Sequence, residues 1–448
     1  MSFLEVCPLD FRYGREEMKA IFSEEARLQA LLDVEAALAR SHAAVGNIPK
    51  KDADAISEAA TTSVVTLKAV RKEEEMTKHD IAALVRVLAK KSGDSGRFVH
   101  LGATSSDIND TATALQTREA IRILIQNLRE LKKVFVDLAR KYRETVMLGR
   151  THGLAAVPIT FGLKMAVFAA ETSRHVRRLT ETLPRMCVGK MLGAVGTGAA
   201  LGDKALIIQR RTMKDLDVGV EEAPTQIVGR DRYAEFVSVL AGIAASMEKF
   251  ATEVRNLQRT EIGEVEEFFG AEQIGSSTMA QKRNPIMSEN ICGLARIVRG
   301  FVHPALQNVL LWHERDLTNS SSERFIIPHA CILTDDIVAK AADVFRNLIV
   351  NEERMLQNVE ATKGQVMVEA VMTALATKGM DRQKAYEVTR KCASRARERD
   401  VHLLDVLLKD RAIKGCLTAK EIRETMEPAN YLGASKKIVD NIVKGLRD

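Results

Sequence analysis

Between Gly275 and Pro285 the chain reads GSSTMAQKRNP. Two serines (Ser276, Ser277), a lysine (Lys282) and an asparagine (Asn284) fall within nine of those residues. Gly275 permits backbone angles that other residues avoid. Small polar groups on a loop between helices commonly carry binding and catalysis. Spacing alone equally allows a capping loop, in which Ser and Thr satisfy helix ends. Two further blocks set polar side chains beside glycine: Gly149-Arg150-Thr151-His152-Gly153, and Leu101-Gly102-Ala103-Thr104-Ser105-Ser106-Asp107. Histidine, with an ordinary pKa of about 6.5, suits proton transfer near neutral pH. Of the nine histidines, His42, His175, His303, His329 and His402 read as surface or satisfied polar residues, and His313 as structural. His100 is left open between a structural role and a place near a site.

The three blocks resemble signatures of the fumarase and aspartase superfamily, which includes argininosuccinate lyase. Within it the chain resembles the adenylosuccinate lyase family. The marks are Arg12-Tyr13, Lys78-His79-Asp80, Thr225-Gln226 with Arg230-Asp231-Arg232, and LWHERDLTNSSSER from Leu311 to Arg324. The likeness runs from about residue 10 to beyond 430. The loop is specific to the superfamily and the other blocks to the member. The resemblance implies a carbon–nitrogen (amidine) lyase of purine biosynthesis. It would eliminate fumarate from adenylosuccinate to leave AMP, and from succinylaminoimidazole carboxamide ribotide to leave AICAR. It also implies a homotetramer with each site built from three chains, small-molecule succinyl nucleotides as substrates, and no metal or organic cofactor.

Such an elimination removes a proton from the carbon beside a carboxylate and expels a nitrogen from its neighbour. Negative charge builds on that carboxylate, so a cation placed there lowers the barrier selectively. Lys282 is the candidate cation, and Asn284 can donate a further hydrogen bond. The resemblance assigns Ser276 as the base, with Ser277 as the adjacent alternative. A serine is a poor base unless backbone N–H groups or cations surround it. By the same resemblance His152 protonates the leaving nitrogen, Glu289 orients and charges His152, and His79 assists or contacts the phosphate.

Phosphate and carboxylates are anions that arginine forks match. Arg315, Ser320 and Arg324 resemble the family's phosphate-side contacts, together with Arg12 and Tyr13. Taken without the resemblance, the two later arginines read as a surface salt-bridge network. Thr104, Ser105 and Gln226 would hold the carboxylates, with Lys78 and Asp80 flanking His79 among the binding residues. Two positions depart from the family pattern. Ala280 replaces the usual Pro and frees the backbone there. Lys78 stands where arginine is common, keeping the charge without the fork.

Helices must position these residues. Ser23 can cap a helix whose first turn holds Glu24 and Glu25, and Gly46 and Pro49 mark its end. Ile121, Leu124, Leu128, Leu131, Phe135, Leu138 and Tyr142 alternate spacings of three and four, as do Phe236, Leu240, Ile243, Met247, Phe250, Val254 and Leu257. That period keeps one seam facing a partner helix. A third run is Ile291, Leu294, Val298, Phe301, Ala305 and Trp312. Helices of roughly 30 residues reach about 45 Å, so they must pack lengthwise in a bundle or between chains. A lone monomer is expected to expose the seams. The expected fold is all-α in three helical domains: 1–104, a central long-helix bundle at 105–353 forming the core of the homotetramer, and 354–448. The glycine-rich stretch from Pro184 to Gly202 is the least helical. It fits neither a P-loop nor a dinucleotide fingerprint, and reads as a loop packed tightly between helices.

Composition agrees with a helical protein. Of 448 residues 46% are hydrophobic but only 4% aromatic, and aromatic and β-branched residues are the strand formers. The net charge of +6 is not gathered in a tail, nor interleaved with aromatics, so nucleic-acid binding is not expected. The six cysteines have no zinc-knuckle or Cys-x-x-Cys spacing. They read as reduced thiols of a cytosolic protein. MSFLEVCPLD lacks the regions of a signal peptide, and no apolar stretch is long enough to span a bilayer, so a cytoplasmic location is expected. Rival readings are another superfamily lyase, such as argininosuccinate lyase or carboxymuconate cycloisomerase, and a non-catalytic helical scaffold.

Overall fold

Ser23 opens the first long helix as expected. Its hydroxyl accepts from the Ala26 N–H at 3.2 Å, and α1 (Glu24–Ala44) ends before Gly46, which takes φ +77°. A computed structural model describes residues 6–270, 272–273, 278–279 and 281–446. The other main helices are α2 (Leu67–Thr77), α3 (Asp80–Lys91), α4 (Ser105–Lys141), α5 (Phe161–Met186), α6 (Asp231–Leu257), α7 (Ile286–Gly300) and α8 (Thr318–Arg346). Helices α4, α5, α6 and α8 have 37, 26, 27 and 29 residues; α4 and α6 carry the runs that begin at Ile121 and Phe236, α5 and α8 are long helices that no run marked, and the fold is all-α. The strands among the described residues form three two-stranded pairs. The largest joins β1 (Val146–Thr151) to β2 (Leu154–Thr160), antiparallel. A second joins β3 (Val265–Glu266) to β4 (Ile349–Val350).

Three expectations need correction. The run from Ile291 to Trp312 is not one helix. Helix α7 stops at Gly300, a short helix Val302–Gln307 follows, and Trp312 lies outside both and is 77% exposed. Pro304 has no N–H to give, which suits the first turn of a new helix and not the interior of an old one. Pro184 does not begin the irregular stretch but lies inside the end of α5. Beyond it only the first half of the glycine-rich stretch is packed as expected: residues 187–193 are buried, and a Cβ on Gly189 would come within 2.6 Å of Thr111 Oγ1, whereas Ala194, Val195, Thr197, Ala199 and Ala200 are exposed and a Cβ on Gly202 would meet nothing within 4 Å.

The third correction concerns the seams. In the two long runs, from Ile121 to Tyr142 and from Phe236 to Leu257, all the seam residues apart from Leu138, which is half-buried, are already buried in the single chain. The chain supplies its own partner faces, as where Phe135 meets Phe168, Phe250 and Phe345 edge-on at 5.5, 5.2 and 4.7 Å. The seams are therefore no argument for association.

The chain divides into two compact units. Unit one is Met1–Leu128, His175–Met247 and Gly293–Ala339; unit two is Arg129–Arg174, Glu248–Cys292 and Lys340–Asp448. In unit one, Leu28, Leu32, Ile56, Leu84 and Leu88 form one core cluster, and Val34, Leu38, Ile108, Met191 and Ile208 another. Unit two holds the phenylalanine cluster and a C-terminal one around Met367, Leu375, Cys392, Leu403 and Ile422. Each such buried side chain contributes about 1.5–3 kcal/mol. The six thiols are free, and those of Cys187, Cys292, Cys331 and Cys392 are buried.

Candidate functional site

In unit one, two sequence blocks come together at helix starts. Lys78 takes the left-handed conformation (φ +54°) and closes α2. His79 then caps α3, its Nδ1 accepting from the Ala82 N–H at 3.4 Å. Helix α4 begins at Ser105, whose Oγ stands 3.4 Å from His79 Nε2. The preceding residue, Thr104, donates its N–H to the Asp107 carboxylate at 2.8 Å. Asp107 also accepts from the N–H groups of Leu192 and Gly193 and from the Lys190 ammonium, so the Thr104–Ser105 turn is tied to the glycine-rich loop.

Helix α8 carries Ser320 and Arg324 one turn apart, on one face. Arg324 donates to Asp80 at 2.8 Å. Burial pushes the Asp80 carboxyl up, but the Ile81 N–H and Arg324 outweigh it and hold it below the usual carboxylate range. Arg315 donates from Nη1 to Ser106 Oγ at 3.0 Å and to Gln226 Oε1 at 3.2 Å. Its Nε is buried without a hydrogen-bond partner among the described residues. Asp80, Ser106, Arg315, Ser320 and Arg324 line one cavity of about 530 Å³, a size suited to a small organic ligand. Arg12 and Tyr13, whose N–H groups donate to Pro8 O at 2.8 and 3.0 Å, are not among its lining residues.

Sequence reasoning assigned no role to the polar floor of this cavity. Arg230 forks onto Asp110 at 2.7 and 2.9 Å and onto Glu323 at 2.8 and 3.1 Å, and lies 4.6 Å over the Tyr233 ring. Burial works against the Asp110 charge, yet Arg230 holds that carboxyl below its ordinary pKa. Arg27 adds a cation whose hydrogen bonds all go to the neutral acceptors Thr113, Gln116 and Asn109. The Arg230-Asp231-Arg232 block was visible as a mark of the family; its pairing with Asp110 and Glu323 had no local signal. His100 faces the buried Glu35 at 2.7 Å. Burial lowers its pKa, but the hydrogen bond and charge of Glu35 prevail and raise it.

In unit two, His152 stands at the tip of the β1–β2 hairpin. His152 and Gly153 form a two-residue turn with φ +53° and +76°. That is the left-handed pair of the tight turns whose hand matches strand twist. The imidazole is exposed. The strand register shifts between Leu148 and Arg150, and Arg150 forks onto the buried Glu264 at 2.9 and 2.6 Å. Lys282, with an exposed side chain, donates its N–H to Met279 O at 3.0 Å. Asn284 is half-buried just before α7, and Glu289 is exposed in the first turn of α7. Within this unit no hydrogen bond or ion pair joins His152 to Glu289, the carboxylate expected to orient it. Ser276, Ser277 and Ala280 lie outside the described residues. Among the described residues no group of three or more His, Cys, Asp or Glu is placed to hold a metal ion.

Residues 10–300 match the family model described as Lyase, and residues 364–442 the one described as Adenylosuccinate lyase C-terminus. Adenylosuccinate lyase of Pyrococcus abyssi is 47% identical over 440 residues, covering 98% of each chain. That of Methanocaldococcus jannaschii is 44% identical over 447 residues, covering 99% of this chain and 97% of that one. The chain belongs to the adenylosuccinate lyase family. Solved structures with the same fold extend beyond this family. A fumarate lyase from a Mesorhizobium species superposes with a TM-score of 0.90 at 33% identity, covering 96% of this chain and 98% of that one. The 3-carboxy-cis,cis-muconate lactonizing enzyme of Pseudomonas putida gives 0.89 at 33%, covering 98% of both. As a member of the adenylosuccinate lyase family the chain is a lyase. Among the described residues no helix is long and apolar enough to cross a membrane.

Proposed function

We propose that this chain cleaves adenylosuccinate to AMP and fumarate, and succinylaminoimidazole carboxamide ribotide to AICAR and fumarate, in the cytoplasm, as a step of purine biosynthesis. The observation that carries the reading is the cavity bearing Arg315, Ser320 and Arg324. Two guanidiniums and a hydroxyl offer a phosphate both charge and direction, and a substrate without a nucleotide gives them no task. Thr104, Ser105 and Gln226 hold the succinyl carboxylates, with Lys78, His79 and Asp80 beside them and Arg12 and Tyr13 on the phosphate.

In the reaction Ser276 takes the proton from the carbon beside a carboxylate. The electron pair forms the fumarate double bond as the carbon–nitrogen bond breaks, and His152 protonates the departing nitrogen. The Lys282 ammonium and the Asn284 amide meet the charge that builds on the carboxylate, where a preorganised cation acts most strongly. Glu289 charges and orients His152 across a chain interface, since nothing joins the two within one chain. No cofactor is assigned a step.

The functional form is a homotetramer whose sites are shared between chains. Two features support this. His152 and Lys282 are exposed, and Leu310, Trp312, Leu317 and Phe325 present 64–78% of their surface, more apolar exposure than one short stretch of a monomer ordinarily carries. The deciding experiment mixes purified protein with adenylosuccinate and follows the loss of its ultraviolet absorbance. Turnover is expected, and Ser276→Ala should bind substrate without turning it over. Unchanged absorbance with turnover of argininosuccinate would favour a sibling lyase, and no turnover of any succinyl compound would favour a scaffold.

A further inference from the structure

We infer that Arg230 is a positioning residue of the phosphate site, whose guanidinium holds and neutralises Asp110 and Glu323 so that a phosphate can enter the cavity beside them. The inference rests on the reading of Arg315, Ser320 and Arg324 as phosphate contacts. Every residue it uses belongs to unit one of a single chain, and the three arginines, Ser320 and both carboxylates line one cavity. The geometry is therefore that of the phosphate end, whichever chains supply the rest of the site. That end poses an electrostatic problem. Glu323 stands three residues after Ser320 and one before Arg324, on the same turn of α8. Asp110 follows Ser106 by one turn of α4. Both carboxylates line the space offered to a phosphate, and like charges held close in a partly dry site repel strongly. A third carboxylate there, Asp80, is already taken by Arg324.

Arg230 occupies the other two. Its Nη1 and Nη2 donate to Asp110 at 2.7 and 2.9 Å, and its Nε and Nη2 donate to Glu323 at 2.8 and 3.1 Å. Nη1 also donates to Val228 O at 2.8 Å. A guanidinium has five N–H donors, and these five bonds use them all. Arg230 thus lines the cavity yet keeps no donor for a phosphate. Arg315 differs, since its partners Ser106 and Gln226 are neutral and its Nε has none among the described residues. The Arg230 side chain is only 4% exposed, so solvent ions screen the cluster little. Both acids take further donors from the protein: the Val228 N–H reaches Asp110 at 2.9 Å and Asn319 Nδ2 reaches Glu323 at 3.0 Å. The same bonds tie the turn of α8 that carries Ser320 and Arg324 to α4, and the parallel pairs give that tie a direction.

The test uses the assembled full-length protein, with adenylosuccinate as substrate and AMP and fumarate as product inhibitors. AMP reports on the phosphate end, and fumarate, which has no phosphate, on general damage. Arg230→Gln bares both carboxylates. KM for adenylosuccinate and Ki for AMP are expected to rise about 10–100-fold, with kcat and Ki for fumarate within about threefold of wild type. Adding Glu323→Gln to that variant should recover about 3–10-fold of the AMP loss, because a charge is removed together with its partner. Glu323→Gln alone keeps the arginine and takes away one negative charge. Its Ki for AMP is expected to fall about 3–10-fold, where a structural loss would raise it, so it serves should Arg230→Gln fail to fold. Wild-type AMP binding in folded Arg230→Gln, an equal loss for fumarate, or unchanged or weaker AMP binding in Glu323→Gln overturns the inference. Arg324→Ala is measured alongside. If it leaves AMP binding at the wild-type level, the phosphate lies elsewhere and the inference falls with that reading. If it weakens AMP while the Arg230 and Glu323 variants change nothing, the role of Arg230 alone fails.

Discussion

Lys190 and Asp107 form an ion pair in which neither side chain has any exposed surface. Asp107 also accepts the N–H groups of Thr104, Leu192 and Gly193. Lys190→Met would leave that carboxylate without its cation in a dry site. The expected loss is about 3–5 kcal/mol of stability, read by denaturant unfolding, with a raised KM as the Thr104–Ser105 turn loosens. A loss below about 1 kcal/mol, the level of an exposed pair, would mean that the lysine does not neutralise Asp107.

His152 can be removed without disturbing its turn, because asparagine tolerates the left-handed region better than most residues. His152→Asn should keep the fold and KM while kcat falls about 10²–10⁴-fold, the usual span for a lost general acid. Steady-state kinetics with thermal melting decide it. An unchanged kcat would move the proton donor elsewhere, with His79 next in line.

Arg315 and Arg324 should act on binding and not on the chemical step. A hydrogen bond to a charged group is worth about 1.5–3 kcal/mol, so replacing either by alanine should raise KM about 10–100-fold with kcat nearly constant. Arg324→Ala also removes the partner of Asp80, so that carboxyl should titrate higher. A KM for nucleotide substrate left within twofold by both variants would take the phosphate out of this cavity.

Asp335 gives a stability prediction with a definite sign. It accepts from Asn127 Nδ2 at 2.6 Å and Arg15 at 3.2 Å, but its Oδ2 is buried without a partner among the described residues. Burial pushes its pKa from 3.8 up to about 6, against the pull of Arg15. The folded state therefore holds the proton more tightly than the unfolded chain does. Stability falls as pH rises from about 4 to about 6, and the penalty is complete above that window. Asp335→Asn removes this dependence, so its Tm should rise relative to wild type between pH 4.5 and 7.5. A Tm difference that stays flat over that range would refute the shift.

The long helices were legible because a spacing of three and four leaves a mark in every turn, as from Ile121 to Tyr142. Trp312 fitted the pattern without belonging to a helix, since periodicity does not register a break at Gly300. The hairpin that carries His152 was not legible. Its strands are short, one is bulged beside Gly149, and Leu154-Ala155-Ala156 reads as helix-forming. The long-range pairs Lys190–Asp107, Arg230–Asp110 and Arg150–Glu264 were hidden for a plainer reason. Charges far apart in sequence carry no local pattern, and only the folded chain selects each partner. The site blocks were legible as a resemblance, while their grouping into a cavity of unit one and a hairpin-and-loop set of unit two required the fold.

Each unit is drawn from three separate stretches of chain, and that has a consequence during synthesis. The cluster around Leu28 and Leu88 can form as soon as its own residues have left the ribosome. The phenylalanine cluster cannot, because Phe135 must wait for Phe345. At about 5–20 residues per second the wait lasts on the order of ten to forty seconds, during which apolar helix faces stand uncovered. A stalled or truncated product ending before Phe345 therefore lacks the ring that meets Phe135 and Phe168, and leaves their faces uncovered on that side.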